Sequence, residues 1–483
     1  MQFESFCGNP FDYPDLRISG LAVDSRKIKV GDLFIARKGV VDDGHKYVGD
    51  AIKRGAIAVV SERPLAIRVP NFVDPNLVSK ISGLADEFYG SPSSQLRCIG
   101  VTGTNGKTSI AYFCSHLIDD CGFIGSIGWG IRGHLSPTKL TTPDAVAVQE
   151  HLAKFRDLDM KAAAIEVSSH ALSQDRVSSV HFDTAIFSNL TREHLDYHGS
   201  IDEYRRAKKK LFTYPHLKLA VINRDDLFGR ELLAYLERQS IPSLSYGNKG
   251  ADICWENINF QKHGITGKWK TPWGSANFFL PLYGHFSIFN AAAALAAVLY
   301  GGSDFLSTVD SMRSIPSVPG RMQIIRRKRR PTVIIDYAHT PDGISAALEA
   351  VRVHNEGRLF CVFGCGGDRD TGKRPLMARV AEKLADNIYV TSDNPRSEDP
   401  EKIISEIVAG FSSKKHRVLS DRKDAIETAI DQAIEGDVVL IAGKGSENFQ
   451  ELQGGRIPFN DMDTTINVLE EKSQALPDGS HAQ

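Results

Sequence analysis

Short apolar runs alternate with longer stretches of helical periodicity along most of this chain. That pattern predicts parallel strands joined by crossing helices. In the first ninety or so residues, strands are expected at Asp32–Ala36, Ala56–Val60 and Ile67–Val73, with helices at His45–Arg54 and Leu77–Tyr89. Gly90–Ser94 reads as a linker. Beyond it, strands fit Leu96–Val101, Ala162–Val167, Thr184–Phe187 and Leu219–Ile222. Helices fit Ser109–Leu117, Asp144–Phe155, Ile201–Phe212 and Asp226–Arg238. Residues 251–280 read as a β-rich insertion, and Ala291–Tyr300 as a buried helix. The alternation restarts with strands Thr332–Ile335, Leu359–Phe363, Ile388–Val390 and Val438–Ala442. Helices Gly343–Val353, Pro375–Ala385, Glu401–Phe411 and Lys423–Ile434 follow the same order. The expectation is an α/β chain of three domains. Residues 1–92 form a small mixed α/β unit, 93–318 a central parallel-sheet domain and 319–483 a Rossmann-like domain.

Bulk properties narrow the class. At 483 residues the chain has room for about three domains of ~150 residues. A net charge of −1 supplies no general basic field for nucleic acid and no polybasic tail for a membrane. The basic run Arg326–Arg330 is short and reads as a solvated loop. The N-terminal stretch MQFESFCGNPFDYPD lacks the positive start and apolar core of a signal peptide. No apolar run reaches the ~20 residues needed to span a bilayer. Seven scattered cysteines suit free thiols in a reducing cytosol, and Cys361 and Cys365 have no second pair to complete a zinc site. A cytoplasmic monomer is expected.

Candidate chemistry begins at Gly103-Thr104-Asn105-Gly106-Lys107-Thr108, between a strand-like and a helix-like run. A glycine-rich turn opening a helix aims backbone N–H groups and the positive dipole end at one spot, where a phosphate sits well. Lys107 can reach the outer phosphates and the Thr108 hydroxyl can ligate Mg²⁺, which reads the central domain as a P-loop ATPase; the bland alternative is a glycine turn that binds nothing. The general P-loop pattern has a glycine where this chain has Val101.

Other polar groups crowd strand ends. Glu166 closes an apolar strand and can hold Mg²⁺, or it can be a rim carboxylate capping the next helix. Asn189 to His198 place His194 and His198 four apart, without the glutamate of a zincin. The run Arg205–Lys210 reads mostly as a solvated helix face. Asp336 can orient a ribose or a metal-bound water, or serve as an N-cap or turn residue. Arg396 can grip a carboxylate with two prongs or pair with Glu398 or Asp399. In an open parallel sheet, ligands bind beyond the carboxyl ends of strands. The turns after Phe363, Val390 and Ala442 are therefore the ones to watch.

Taken together, Gly103–Thr108, Glu166, Asn189-x-Thr-x-x-His-Leu-Asp, Gly284–Asn290, Gly320-Arg321 and Asp336–Asp342 resemble the Mur ligases, in order and across nearly the whole chain. Asp393-Asn394-Pro395-Arg396 resembles the signature of the family's diaminopimelate-adding branch. The resemblance implies ATP-dependent ligation of meso-diaminopimelate to the D-glutamate of UDP-N-acetylmuramoyl-L-alanyl-D-glutamate, a step in making peptidoglycan precursors. It implies that Gly103 to Ser109 cradle the ATP phosphates, including Thr104, Asn105, Gly106 and Lys107. Asn290, Arg321 and Asp336 would complete the nucleotide site. One Mg²⁺ would be held by Thr108 and Glu166 and a second by His194 with Glu166, while a carbamylated Lys208 would orient Mg²⁺. The alanine before Lys208 and its spacing from Arg176 favour it among three consecutive lysines. Val23 and Ser25 in the N-terminal domain would meet the uridine end, and Thr141, Thr142, Ser168, Gln174 and Arg176 the muramoyl-dipeptide. Arg369, Asp393, Asn394, Pro395, Arg396, Gly443 and Glu447 would bind diaminopimelate.

Two departures from the family pattern stand out. Ser446 occupies the place of a histidine in Gly-Lys-Gly-His-Glu, and the loop Gly39-Val40-Val41-Asp42-Asp43-Gly44 lacks a histidine found in some relatives. The rival expectations are a folylpolyglutamate-synthetase-like ligase and a P-loop regulatory ATPase that makes no bond.

Overall fold

The computed structural model describes residues 16–39 and 42–471. Val40 and Val41 of the Gly39–Gly44 loop lie outside the described residues, as do Cys7 and the acidic N-terminal stretch. The chain separates into two compact units, Met1–Cys254 with Asn290–Asp304, and Trp255–Phe289 with Phe305–Gln483.

The first unit holds two sheets. Strands β1 (Gly20–Ala22), β2 (Asp32–Ala36), β3 (Ala58–Ser61) and β4 (Asn71–Val73) form a small parallel sheet in sequential order. The strand expected from Ile67 is shorter, because Pro70 withholds a ladder N–H and pairing begins at Asn71. The larger sheet runs β12-β11-β10-β5-β9-β6-β7-β8. Its members are β5 (Arg97–Thr102), β6 (Cys121–Gly125), β7 (Gly128–Ile131), β8 (His134–Ser136), β9 (Ala162–Glu166), β10 (Phe182–Phe187), β11 (Leu219–Asn223) and β12 (Ser243–Tyr246). Pairing is parallel from β12 to β6, and β7 and β8 add an antiparallel edge. Central strands such as β9 are buried on both faces and read as continuous apolar runs, as parallel sheets do. Leu96, Ile124, Val148, Leu152, Phe155, Ile165 and Phe182 fill the core on one side.

The second unit carries an antiparallel meander, β13 (Cys254–Gln261), β14 (Gly264–Thr271) and β15 (Gly274–Leu280), where the β-rich insertion is expected. Its main sheet runs β16-β17-β21-β18-β19-β20. These are β16 (Gln323–Ile325), β17 (Thr332–Asp336), β18 (Leu359–Phe363), β19 (Asn387–Val390), β20 (His416–Val418) and β21 (Val438–Ala442), parallel except for β16. A hairpin of β22 (Phe449–Leu452) and β23 (Gly455–Pro458) follows. The helix expected over Glu401–Phe411 stops at Val408, just before the breaker Gly410. The α/β class holds, with the main sheets largely parallel. Among the described residues no helix is long and apolar enough to cross a membrane. Cys361 and Cys365 are buried free thiols.

Candidate active site

The strand–turn–helix from β5 into the helix Lys107–Leu117 builds the phosphate-type loop. Gly106 has φ +85°, and a Cβ there would sit 2.5 Å from Asn290 Oδ1, so the carboxamide of Asn290 packs directly on the loop. Lys107 Nζ folds back on its own turn, donating to Gly103 O at 2.9 Å and Thr104 O at 2.7 Å. The loop is tied to the end of β10. Asn105 N donates to Asn189 Oδ1 at 3.0 Å, and Thr191 N donates to Thr104 Oγ1 at 3.0 Å. Ser109 lies in the first turn of the helix.

Glu166 is fully buried at the end of the neighbouring strand β9. Thr108 Oγ1 donates to its Oε2 at 3.0 Å, Ser126 N to its Oε1 at 2.7 Å and Ser126 Oγ to its Oε2 at 3.2 Å. The helix-capping alternative for Glu166 falls. The following helix is capped by Ser168, whose Oγ accepts Ala171 N. Among the described residues no three His, Cys, Asp or Glu side chains converge as a metal site. The Thr108 hydroxyl and Glu166 carboxylate are hard oxygen donors, the kind a Mg²⁺ ion takes.

A cavity of about 310 Å³ lies over this loop. It gathers Lys107, Thr141, Ser168, Arg176, His194 and Lys208, with Leu140, Ser169, His170 and Tyr204 completing its wall. Thr142 supports it from beneath, its Oγ1 donating to Glu166 O at 2.7 Å and accepting Ser168 N at 3.0 Å. Arg176 Nη1 donates to Thr142 O at 2.8 Å, and its Nε and Nη2 both reach Gln174 Oε1. His194 sits in the left-handed region at φ +55°, its ring edge-on to His170 at 4.8 Å. Burial, then His194 and His198, hold His170 neutral, its pKa lowered to about 4.

The basic run 205–210 is solvated only in part: Arg206 is exposed, but Lys208 is not. Lys208 is 1% exposed, donates to Gly103 O at 2.7 Å and lies 4.4 Å over the Tyr204 ring. Burial, reinforced by Lys107, drives its pKa well below the ordinary lysine value. Lys209 stacks on Tyr235 and Lys210 pairs with Asp175. Val23 and Ser25 lie away from this cavity, just past β1. Ser25 is buried in the short turn Ser25–Lys27.

In the second unit, the carboxyl ends of β17, β21, β18 and β19 lie side by side. Asp336 Oδ1 accepts Ala338 N and its Oδ2 accepts Met322 N, both at 2.8 Å, a turn role. The N-cap role belongs to Thr340. Burial raises the Asp336 pKa, and Arg321, which stacks 4.4 Å over Tyr337, opposes that rise. The turn 393–396 meets the turn 443–447 through Asn394 Nδ2, which donates to Glu447 Oε2 at 2.8 Å. Lys444, fully buried, donates to Asn394 Oδ1 and Glu447 Oε2, both at 3.0 Å. Gly443, at φ +120°, packs against Asp393, where a Cβ would lie 2.4 Å from Oδ2. Arg396 pairs with Glu451 rather than with Glu398 or Asp399, because Glu398 is taken by the buried Arg374.

These turns and loops match known domains. Residues 17–83 match the Mur ligase family, catalytic domain; 101–298 the Mur ligase middle domain; and 320–445 the Mur ligase, glutamate ligase domain. A UDP-N-acetylmuramoyl-L-alanyl-D-glutamate--2,6-diaminopimelate ligase of Ectopseudomonas mendocina (strain ymp) is 44% identical over 461 residues, 92% of this chain and 93% of that protein. The chain belongs to the Mur ligase family. A Coxiella burnetii (strain RSA 493 / Nine Mile phase I) protein of the same name is 43% identical, covering 94% of this Mur ligase and 96% of its own length. A solved structure of a UDP-N-acetylmuramoyl-L-alanyl-D-glutamate--2,6-diaminopimelate ligase aligns with TM-score 0.70 at 36% identity, over 94% of this chain and 95% of that one.

Several site residues of this Mur ligase escape sequence reasoning. Ser126, Tyr204, His170 and Glu451 reach partners distant in sequence through tertiary approach, as Lys444 reaches Asn394. Lys444 carried the one usable signal, a lysine inside a glycine-rich turn after a buried strand.

Proposed function

We propose that this Mur ligase joins meso-diaminopimelate to the D-glutamate carboxylate of UDP-N-acetylmuramoyl-L-alanyl-D-glutamate, with ATP converted to ADP and phosphate. The observation that carries the reading is the cavity where Lys107, Lys208, Arg176, Thr141, Ser168 and His194 meet over the P-loop. Two anions, a carboxylate and a triphosphate, must approach there, and the basic side chains Lys107 and Arg176 face that approach. The names of relatives at 44% and 43% identity support the substrate set. Those matches cover 92% and 94% of the chain, which favours the ligase over the folylpolyglutamate and regulatory-ATPase readings.

In this reading the glutamate carboxylate attacks the γ-phosphorus and forms an acyl phosphate while ADP leaves. Gly103 to Ser109 cradle the triphosphate, with Asn290, Arg321 and Asp336 serving the rest of the nucleotide. Lys107 releases its loop carbonyls to meet the phosphates. Thr141, Thr142, Ser168, Gln174 and Arg176 hold the dipeptide, and Val23 and Ser25 the uridine end. Thr108 and Glu166 would hold Mg²⁺, which when bound neutralises phosphate charge. His194, with Glu166, would serve a second ion. Lys208 fits a cation only as its carbamate, since an ammonium repels one. The free amine of diaminopimelate, held through Arg369, Asp393, Asn394, Pro395, Arg396, Gly443 and Glu447, attacks the acyl carbon and phosphate departs. No side-chain nucleophile takes part.

The deciding experiment offers UDP-muramoyl-dipeptide, ATP and an equal mixture of diaminopimelate and lysine, then weighs the product. A product carrying diaminopimelate alone is expected. Equal incorporation of lysine rejects the assignment, and phosphate release without any amino acid returns the regulatory ATPase.

A further inference from the structure

The Asp393–Arg396 turn is gripped by the hairpin β22–β23, and one residue makes most of the contacts. Glu451 N donates to Asn394 Oδ1 at 2.9 Å, Glu451 O accepts Arg396 N at 2.9 Å, and Glu451 Oε2 accepts Arg396 Nε at 3.1 Å. Its neighbour Gln450 donates to Asp393 O at 2.7 Å. Arg396 itself sits at φ +53°, a region that costs a side-chain-bearing residue about 1–2 kcal/mol. Such a conformation persists only where its surroundings impose it.

The guanidinium is also fixed. Nε is taken by Glu451, and Nη1 donates to Gly367 O at 2.6 Å. Gly366 leaves room for it, since a Cβ there would lie 2.9 Å from Nη1. Among the described residues no hydrogen bond engages Nη2, and the side chain remains 25% exposed. An arginine held through Nε and Nη1, with Nη2 unengaged, is preorganised to offer that nitrogen to an arriving carboxylate.

We propose that Glu451 is a positioning residue for amino-acid specificity: it holds Arg396 so that Nη2 of the guanidinium receives the distal carboxylate of the incoming diamino acid. The inference rests on the proposed pairing of Arg396 with diaminopimelate. Position and charge act here with opposite signs. A carboxylate beside the guanidinium weakens its pull on an anion, so a purely electrostatic Glu451 would hinder diaminopimelate. A positioning Glu451 would favour it.

Four proteins separate the possibilities: the unmodified enzyme, Glu451→Asp, Glu451→Gln and Arg396→Ala. For each, KM values for diaminopimelate, ATP and UDP-muramoyl-dipeptide are measured, with the kcat/KM ratio of diaminopimelate to lysine. Glu451→Asp keeps the charge but is one methylene short of Nε. It is expected to raise the diaminopimelate KM about tenfold or more, leave the ATP KM within about twofold, and lower the selectivity ratio. Glu451→Gln keeps the acceptor and loses the charge, and is expected to recover most of that selectivity. The proposal is overturned if Glu451→Asp keeps its selectivity, if Glu451→Gln loses as much as Glu451→Asp, or if the ATP KM rises in step. Should Arg396→Ala also keep full selectivity, the underlying reading of the turn fails with it. If only Arg396→Ala loses selectivity, the role of Glu451 alone is refuted.

Discussion

Lys208 and Lys107 share one acceptor: both ammonium groups donate to the carbonyl oxygen of Gly103, at 2.7 and 2.9 Å. Like charges converge there on a single backbone oxygen, and Lys208 is all but excluded from water. Desolvation and its neighbour together push Lys208 toward the neutral amine. A neutral, buried amine is nucleophilic, and the resemblance-based expectation of a carbamate has its chemical footing there. Lys208→Ala should lower kcat by about a hundredfold or more, the scale of losing one preorganised charged group at a reacting centre. Short carboxylic acids added to that variant should restore part of the activity. Phosphate release in the presence of diaminopimelate reads both effects, and full activity without added acid would dismiss the carbamate.

The contact of Thr108 Oγ1 with Glu166 Oε2 ties the P-loop to the strand beside it. Glu166→Gln preserves the shape and removes the anion. It should cut kcat by about 10²–10³ with little change in the KM for UDP-muramoyl-dipeptide. Steady-state kinetics at saturating Mg²⁺ test this. A rise in that KM with kcat intact would move Glu166 from the reacting phosphate to substrate binding.

The parts of this site that sequence made legible share one trait, in that their chemistry is local. Gly103–Thr108 carries strand, turn and helix within one short run, and Glu166 declares itself as a carboxylate ending an apolar strand. Most of the parallel strands were readable for the same reason, since burial on both faces writes an unbroken apolar run. The edges were not. Strand β7 is short and carries two glycines, β8 spans three residues that are partly exposed, and β22–β23 mixes polar and apolar residues with β23 wholly exposed, so neither periodicity stands out. Glu451 acts on a turn fifty-five residues earlier. Tyr204 meets Thr104 across a hundred residues. No spacing rule reports such pairs.

Arg422 and Asp461 form a two-pronged pair with both side chains fully buried, Nε to Oδ1 and Nη2 to Oδ2 at 2.8 Å. Arg422 Nη2 also donates to Ala442 O, just before Gly443 of the candidate amino-acid turn. Removing one partner strands the other charge in a low-dielectric interior. Asp461→Ala should therefore destabilise by about 3–5 kcal/mol, while the double change Arg422→Met with Asp461→Ala should recover much of that loss. Urea unfolding followed by circular dichroism compares the three proteins. Equal destabilisation in single and double variants would mean that packing, rather than the stranded charge, sets the cost.

His151 gives the fold a defined acid sensitivity. Its ring stacks on Trp129 at 3.8 Å with planes 5° apart, and among the described residues its buried Nδ1 has no hydrogen-bond partner. Burial lowers its pKa from 6.5 to about 4, against a weaker opposing pull from Glu150. The folded protein therefore keeps this ring neutral while the unfolded chain binds a proton below about 6.5. Between those two values the unfolded state holds more protons, so stability rises with pH through that window and is lost as pH falls from about 6.5 toward 4. His151→Phe keeps a flat ring against Trp129 and removes the titration. Its melting temperature should fall less than that of the unmodified protein over that window, with the two curves parallel above about pH 7. Curves that stay parallel down to pH 4 would mean that the folded ring accepts its proton as readily as the unfolded one, which a buried, unpartnered nitrogen cannot do.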